Sequence, residues 1–241
     1  MVFYADTDKG RMRDMNQDMF YIAPNHSFCV VADGMGGHKA GNVASLVATS
    51  TVRSMLLNTS VLNSSKPKTD EKILSCLQAA VESANQIVYY TAQNADEFSG
   101  MGTTLTLCCF NNGKAYFAHV GDSRGYLVRG GEITRLTKDH TMAQLLLSTG
   151  EITEEDILSH PQRHVITRAV GTDENVKVDT FSVNLQAGDV ILLCSDGLTD
   201  MVPDAEILKM VQSGKNSKEL VALANENGGH DNITVVIART D

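Results

Sequence analysis

Short apolar runs separated by Gly, Asn and Asp punctuate this chain, and they set its elements. Runs rich in Val, Ile, Leu and Phe that are bounded by turn formers read as buried strands. Strands are therefore expected near 2–7, 18–22, 27–33, 103–110, 114–120, 124–129, 132–136, 177–183, 189–195 and 232–239. Asn112-Gly113 and Gly130-Gly131 are hairpin signals, so 103–136 reads as an antiparallel meander. Two longer segments follow the helical period. Ile73, Leu77, Ala80, Val81, Ala84, Ile87 and Val88 mark one, and a weaker pattern over 40–57 marks the other, with the polar stretch 58–70 connecting them as an antiparallel pair. Near the C-terminus, Pro203 opens a helix carrying Ile207, Leu208 and Val211, and Ser217 is the expected cap of another that ends before Gly228-Gly229. Strands and helices are thus segregated along the chain. That excludes an alternating doubly wound pattern and predicts the α+β class, with antiparallel sheet packed by helices in a single domain over 1–241. Segment 138–175, with short helical patterns between two strands, is expected to be a surface excursion.

A set of aspartates stands where these runs stop. Asp33 ends FCVVAD, Asp196 ends VILLCSD, Asp231 precedes NITVVIA, Asp18 stands beside MFYIA, and Asp122 follows AYFAHVG. Two unit charges about 4 Å apart repel by about 1 kcal/mol in water and about 4 at an effective dielectric near 20. Four or five carboxylates at converging strand ends are therefore costly without cations, and convergence would mean metal.

Composition narrows the function classes. The chain has 241 residues, 42% of them hydrophobic, which suffices for one packed core. A net charge of −9 without any basic block argues against nucleic acid or an anionic membrane as the main partner. The opening MVFYADTDKG lacks a basic stretch followed by an apolar one, and no apolar run approaches the roughly 18–20 residues of a membrane span. A cytoplasmic protein without membrane insertion is expected. The five cysteines include no C-x-x-C pair and four lie in apolar runs, so they read as core thiols in a reducing compartment.

The segment DGMGGHKAG at 33–41 packs small residues around an acid and a histidine between a strand and a helix, but it fits neither the Walker A nor the Rossmann pattern. The combination of segments is more specific than any one of them. GRMRDMNQD (10–18), DGMGGH (33–38), GTTLT (102–106), HVGDSRGY (119–126), ITRAVG (166–171), SDGLTD (195–200) and GGHDNIT (228–234) stand in the order and spacing of the metal-dependent protein serine/threonine phosphatases. The chain resembles the bacterial members of that family, the type 2C phosphatases, from about residue 3 to 239. The resemblance implies a four-layer α-β-β-α sandwich of two antiparallel sheets flanked by helices, with two Mn²⁺ or Mg²⁺ ions at one end of the sheets. Carried over residue by residue, it implies that Asp33 bridges both metals with the Gly34 carbonyl completing a shell. Asp196 and Asp231 would bind one metal, Asp18 would act through water at the other, and Asp122 would belong to a weaker third site. All-oxygen ligation suits these hard cations better than zinc.

The chemistry implied is attack on a phosphoserine or phosphothreonine ester by a water that two cations acidify, with no protein nucleophile. Arg13 matches the phosphate-holding arginine of the family. Met35 stands where many eukaryotic members carry histidine, so His38 is the candidate acid for the leaving alkoxide, with a metal-bound water as the alternative, and Gln17 stands where those members often have Glu. Segment 138–175 matches the flap beside the active site, where Arg163, His164 and Arg168 would either read acidic peptide or pack the flap base. The implied partners are phosphorylated proteins and a cognate Ser/Thr protein kinase, with the chain a monomer. The competing reading, a silent phosphoprotein-binding module, requires lost metal ligands, and every expected one is present.

Overall fold

The computed structural model describes residues 1–37, 40–63, 68–157 and 160–240. The chain runs β1 (Val2–Asp8), β2 (Asp18–Ile22), β3 (Phe28–Met35), α1 (Ala40–Asn58), α2 (Ser60–Asn63), α3 (Asp70–Asn94), β4 (Gly102–Thr103), β5 (Leu105–Asn111) and β6 (Lys114–Val120). It continues β7 (Arg124–Arg129), β8 (Glu132–Arg135), α4 (Met142–Thr149), α5 (Glu154–Ile157), β9 (Asp179–Asn184), β10 (Val190–Cys194), α6 (Asp196–Thr199), α7 (Asp204–Gln212), α8 (Ser217–Glu226) and β11 (Ile233–Arg239). Two antiparallel sheets form, one in the order β1-β11-β10-β7-β8 and the other β2-β3-β5-β6-β9, with β4 pairing β3. The expected four-layer α+β sandwich is the observed architecture.

Period-2 geometry explains why the central strands are apolar throughout. Successive side chains leave opposite faces of a strand, and here both faces are covered. Val30 packs with Ala44, Val52, Leu77 and Val81 of α1 and α3, while its neighbours Cys29 and Val31 meet Ile191, Leu193 and Val236 between the sheets. In β10, Leu192 faces Ile207, Val211 and Leu220 of α7 and α8, while Ile191 and Leu193 face the other sheet. Three apolar clusters thus correspond to the three interfaces of four layers.

The structure departs from the sequence reading at four places. Residues 103–136 are not one meander, because β5-β6 and β7-β8 are hairpins of different sheets and the chain crosses between them at 121–123. The alternation looks alike on both sides of the crossing, so it left no trace in the pattern; Gly121, with φ of +108°, makes the turn. The cap of α8 is Asn216 rather than Ser217, closed by Glu219 in a reciprocal capping box. The connection 58–70 contains the helical turn α2, and Asp196 begins the helical turn α6 instead of ending a strand. Both hairpin signals hold: Asn112 and Gly113 have φ of 47° and 73°, Gly130 and Gly131 have 58° and 92°.

The return of segment 138–175 is fastened to α3. Asn85 is 1% exposed; its Nδ2 donates to the carbonyls of Asp173 and Glu174, both at 3.0 Å, and its Oδ1 accepts from Gly171 N at 2.7 Å. Asn85→Ala removes all three bonds and leaves the Gly171 N–H buried without a partner. We expect it to cost about 2–4 kcal/mol, since a buried unsatisfied group costs about 1–3 on its own. Urea unfolding measures this, and a loss below about 1 kcal/mol would contradict it.

Candidate active site

Five carboxylates and a guanidinium gather where the ends of the two sheets face each other. Asp18 opens β2 and lies directly opposite Asp33 of β3 in the ladder. Asp122 sits in the crossing between β6 and β7, Asp196 follows β10, and Asp231 precedes β11. A cleft of about 440 Å³ is lined by Arg13, Asp33, Gly34, Asp122, Asp196 and Asp231. Asp18 is 4% exposed and does not line it. Of the site residues expected from sequence, His38 lies outside the described residues, and the other seven come together here.

Neutral groups hold these acids in place. Ser195 Oγ donates to Asp18 Oδ2 at 2.7 Å and accepts from Thr234 N at 2.9 Å, so one hydroxyl joins both sheets. Thr104 Oγ1 accepts from Asp33 N at 2.9 Å, while Thr104 N and Thr103 Oγ1 both donate to Asp33 O. Asn232 fixes the loop that carries Arg13, donating from Nδ2 to the carbonyls of Lys9 and Met15 and accepting from Gln17 N. Glycines permit the closest approaches. A Cβ on Gly34 would stand 2.0 Å from Gly41 O, and one on Gly10 would stand 2.1 Å from Asp231 O. Gly34 and Gly41 are thus a packing requirement of β3 against α1.

The electrostatics follow from burial and crowding. Burial, and then the charges of Asp18, Asp196, Asp122 and Asp231, hold the Asp33 carboxyl well above its ordinary range. Asp196 is likewise raised well above it, by burial and then by Asp122 and Asp200. Burial pushes Asp18 up to about 6 against the hydrogen bonds that lower it, and pushes Asp122 up to about 7 with help from the charge of Asp139. Arg13 Nη2 donates to Asp231 Oδ2 at 2.7 Å, and that bond raises the guanidinium's own pKa.

Two atoms test whether the cluster suits a cation. Asp18 Oδ1 and Asp196 Oδ1 are buried without a hydrogen-bond partner among the described residues, and a buried orphan oxygen is costly. An all-oxygen donor set with unsatisfied anionic atoms fits a hard divalent ion.

Several residues at the cleft were not singled out by the sequence reading. Ser195, Asn232 and Thr104 stood inside the motif blocks beside the acids, and position was their only signal. Asp200 and His230, likewise not singled out, line the cleft together with His164 of the expected flap, and among the described residues His164, Asp196 and Asp200 present ligand atoms within 4.8 Å of one another. His164 comes from the flap, its Nδ1 3.6 Å from Asp200 Oδ2. Arg168 instead packs the flap base, donating to Asp179 Oδ1 at 2.8 Å and to Lys177 O at 3.2 Å.

Residues 9–225 match the family Protein phosphatase 2C. The serine/threonine phosphatase stp of Listeria monocytogenes is 39% identical over 242 residues, covering 98% of this chain and 94% of that protein. The serine/threonine protein phosphatase PstP of Mycobacterium tuberculosis is 40% identical over 239 residues, which are 98% of this chain and 44% of PstP. The crystal structure of the Mycobacterium tuberculosis phosphatase PstP/Ppp aligns with a TM-score of 0.89 at 38% identity, covering 100% of this chain and 98% of that one. A PstP catalytic domain in complex with two manganese ions aligns with a TM-score of 0.85 at 36% identity, again over 100% and 98%.

The raised carboxyls fix a pH dependence. Their folded pKa values exceed the unfolded ones, so the metal-free folded state binds more protons than the unfolded chain from the ordinary value of 3.8 up to about 6 for Asp18 and about 7 for Asp122. The stability they contribute is full below pH 3.8 and is lost as pH rises through that window. A cation competes with those protons. Saturating Mn²⁺ should therefore raise the thermal midpoint by roughly 5–10 °C at pH 7.5 and by far less at pH 5. Scanning calorimetry with and without the ion at both pH values checks this, and equal shifts would refute it.

Proposed function

The chain belongs to the protein phosphatase 2C family, and on that premise we propose that its cleft hydrolyses phosphoserine and phosphothreonine in proteins by direct attack of water, using Mn²⁺ or Mg²⁺. It is a serine/threonine phosphatase. The observation that carries the mechanism is the pair of buried, unpartnered carboxylate oxygens on Asp18 and Asp196 within a cluster that repels itself.

In this reading Asp33, the Gly34 carbonyl, Asp196 and Asp231 would hold the cations. Asp18 would support the bound ions indirectly, and Asp122 would hold a further, weaker one. The burial of Asp18 outside the cleft lining supports an indirect role. When bound, such ions supply positive charge for the phosphoryl oxygens and acidify a water near neutral pH. Arg13 holds the substrate. Its guanidinium is half-exposed at the cleft and spends Nη2 on Asp231, and its planar fork has further N–H groups to offer two phosphoryl oxygens. Ser195, Thr104 and Asn232 keep the acids and the Arg13 loop in register, so little reorganisation is needed on binding. Met35 lines the cleft and has no proton to give; His38 is the donor we assign to the leaving alkoxide, with water as the alternative.

Phosphorylated Ser and Thr are products of protein kinases, so the enzyme works against a Ser/Thr kinase. A reducing, cytoplasmic setting is supported by five free cysteines, four of them buried. No helix among the described residues is long and apolar enough to cross a membrane.

Turnover of a phosphothreonine peptide should require Mn²⁺ or Mg²⁺, cease in EDTA, and fall roughly 10³-fold in Asp196→Ala, the loss of several kcal/mol of transition-state stabilisation. Peptide that binds but is never turned over with either metal would overturn the reading. Arg13→Ala should raise KM roughly tenfold or more, the worth of a charge-assisted hydrogen bond, with an unchanged urea midpoint. An unchanged KM would remove Arg13 from substrate binding.

A further inference from the structure

The residue before Asp122 is held by a single side chain from the base of the flap. His140 is 7% exposed, and its ring Nδ1 accepts from Gly121 N at 2.9 Å. Its backbone N donates to Gly121 O at 2.8 Å, and its carbonyl accepts from Thr167 N at 2.8 Å. The Gly121 carbonyl belongs to the same planar peptide as the Asp122 N–H, so that bond orients the peptide on which the carboxylate stands. Gly121 has no freedom to compensate. Its φ is +108°, and a Cβ there would lie 2.6 Å from Thr104.

The far side of Asp122 is fixed independently. Ser123 Oγ shares a 2.7 Å hydrogen bond with Thr104 Oγ1, and Thr106 Oγ1 donates to Ser123 O at 3.2 Å. Thr104 in turn holds Asp33 N and O. Hydrogen bonds from His140 to Gly121 and from Ser123 through Thr104 to Asp33, joined by the backbone of 121–123, therefore connect the flap base to Asp33. The outer edge of the imidazole faces Asp179: Nε2 lies 3.2 Å from Asp179 Oδ2, and Arg168, whose Nη1 is 3.0 Å from Nε2, binds Asp179 as a second donor. Because Nδ1 accepts a backbone N–H, the ring proton is on Nε2 and is donated to Asp179.

We propose that His140 is a positioning residue for Asp122, in which the Nδ1 bond to Gly121, rather than the Nε2 contact to Asp179, sets the carboxylate and ties it to the flap. This rests on Asp122 being a cation ligand. Burial lowers the His140 pKa against the pull of Asp179, with the Arg168 charge adding to the lowering, in keeping with the neutral ring whose Nδ1 accepts the Gly121 N–H.

The two ring nitrogens can be tested separately. Asn reaches the position of Nδ1 and Gln the position of Nε2, so His140→Asn keeps an acceptor for Gly121 and loses Asp179, and His140→Gln does the reverse. The full chain, these two variants and Asp122→Ala are titrated with Mn²⁺ by calorimetry without substrate, and half-maximal Mn²⁺ for p-nitrophenyl phosphate turnover and thermal midpoints are measured alongside. His140→Gln should follow Asp122→Ala, with the weakest Mn²⁺ event weakened about tenfold, equivalent to the loss of one buried hydrogen bond of about 1.4 kcal/mol. His140→Asn should stay within about twofold of the parent on the same scale. Loss of Mn²⁺ affinity in both variants in step with their thermal midpoints, or in His140→Asn alone, would overturn the proposal. Mn²⁺ binding unchanged in His140→Gln but lost in Asp122→Ala would overturn it while leaving Asp122 a ligand. Mn²⁺ binding unchanged in Asp122→Ala would remove the premise, and the proposal with it. Should His140→Gln fail to fold, the behaviour of His140→Asn decides alone.

Discussion

Carboxylates that face one another in a partly dry cleft repel, and the architecture of this protein is arranged around that repulsion. Asp18 and Asp33 are opposed on neighbouring strands, a pairing that sheets ordinarily avoid for like charges. Asp122, Asp196 and Asp231 reach the same cleft. Protons relieve the crowding in the absence of cations, which is why burial and mutual charge hold Asp33 and Asp196 so far above their ordinary range. Every other feature of the site is a means of keeping these groups together despite that cost.

The means are uncharged. Serine, threonine and asparagine side chains, together with backbone groups, bind the acids and their loops, and they add no charge that would compete for a cation or a phosphoryl group. Ser195 is the clearest case, since its hydroxyl faces both sheets. Arginine is kept to the mouth of the cleft, where Arg13 pairs with Asp231. Arg168, expected from sequence beside Arg163 in the flap, is consumed by Asp179 at the flap base and does not line the cleft.

Much of this was legible from sequence because it is periodic or local. Alternating apolar residues in β3 and β10 and the 3.6-residue spacing of α3 are properties of contiguous segments, and the acids stood at the ends of those segments. What was not legible depends on partners distant in sequence. Nothing near Gly121 says that β6 and β7 belong to different sheets, since strands buried on both faces carry the same pattern whichever layer they occupy. His140 joins Gly121, Thr167 and Asp179 across up to 39 positions, and Asn232 reaches back over more than two hundred to Lys9 and Met15. The cap of α8 was missed by one residue because Asn216 and Ser217 are both good caps, and only the reciprocal bond from Glu219 selects between them.

Strand β1 pairs along its whole length with β11, Val2 against Arg239 through to Asp8 against Ile233. On the ribosome, the sheet that carries Asp196 and Asp231 therefore waits for residues 233–239 to emerge before β1 can be zipped on. The other sheet, with α1 and α3, has all its strands by Asn184. Closing a loop of that span is slow relative to local pairing. A nascent chain thus holds two of the five acids, Asp18 and Asp33, on a sheet whose facing sheet still lacks β10 and β11. The interval between the two assemblies is when this protein is most exposed to misassociation, and when a chaperone has a surface to hold.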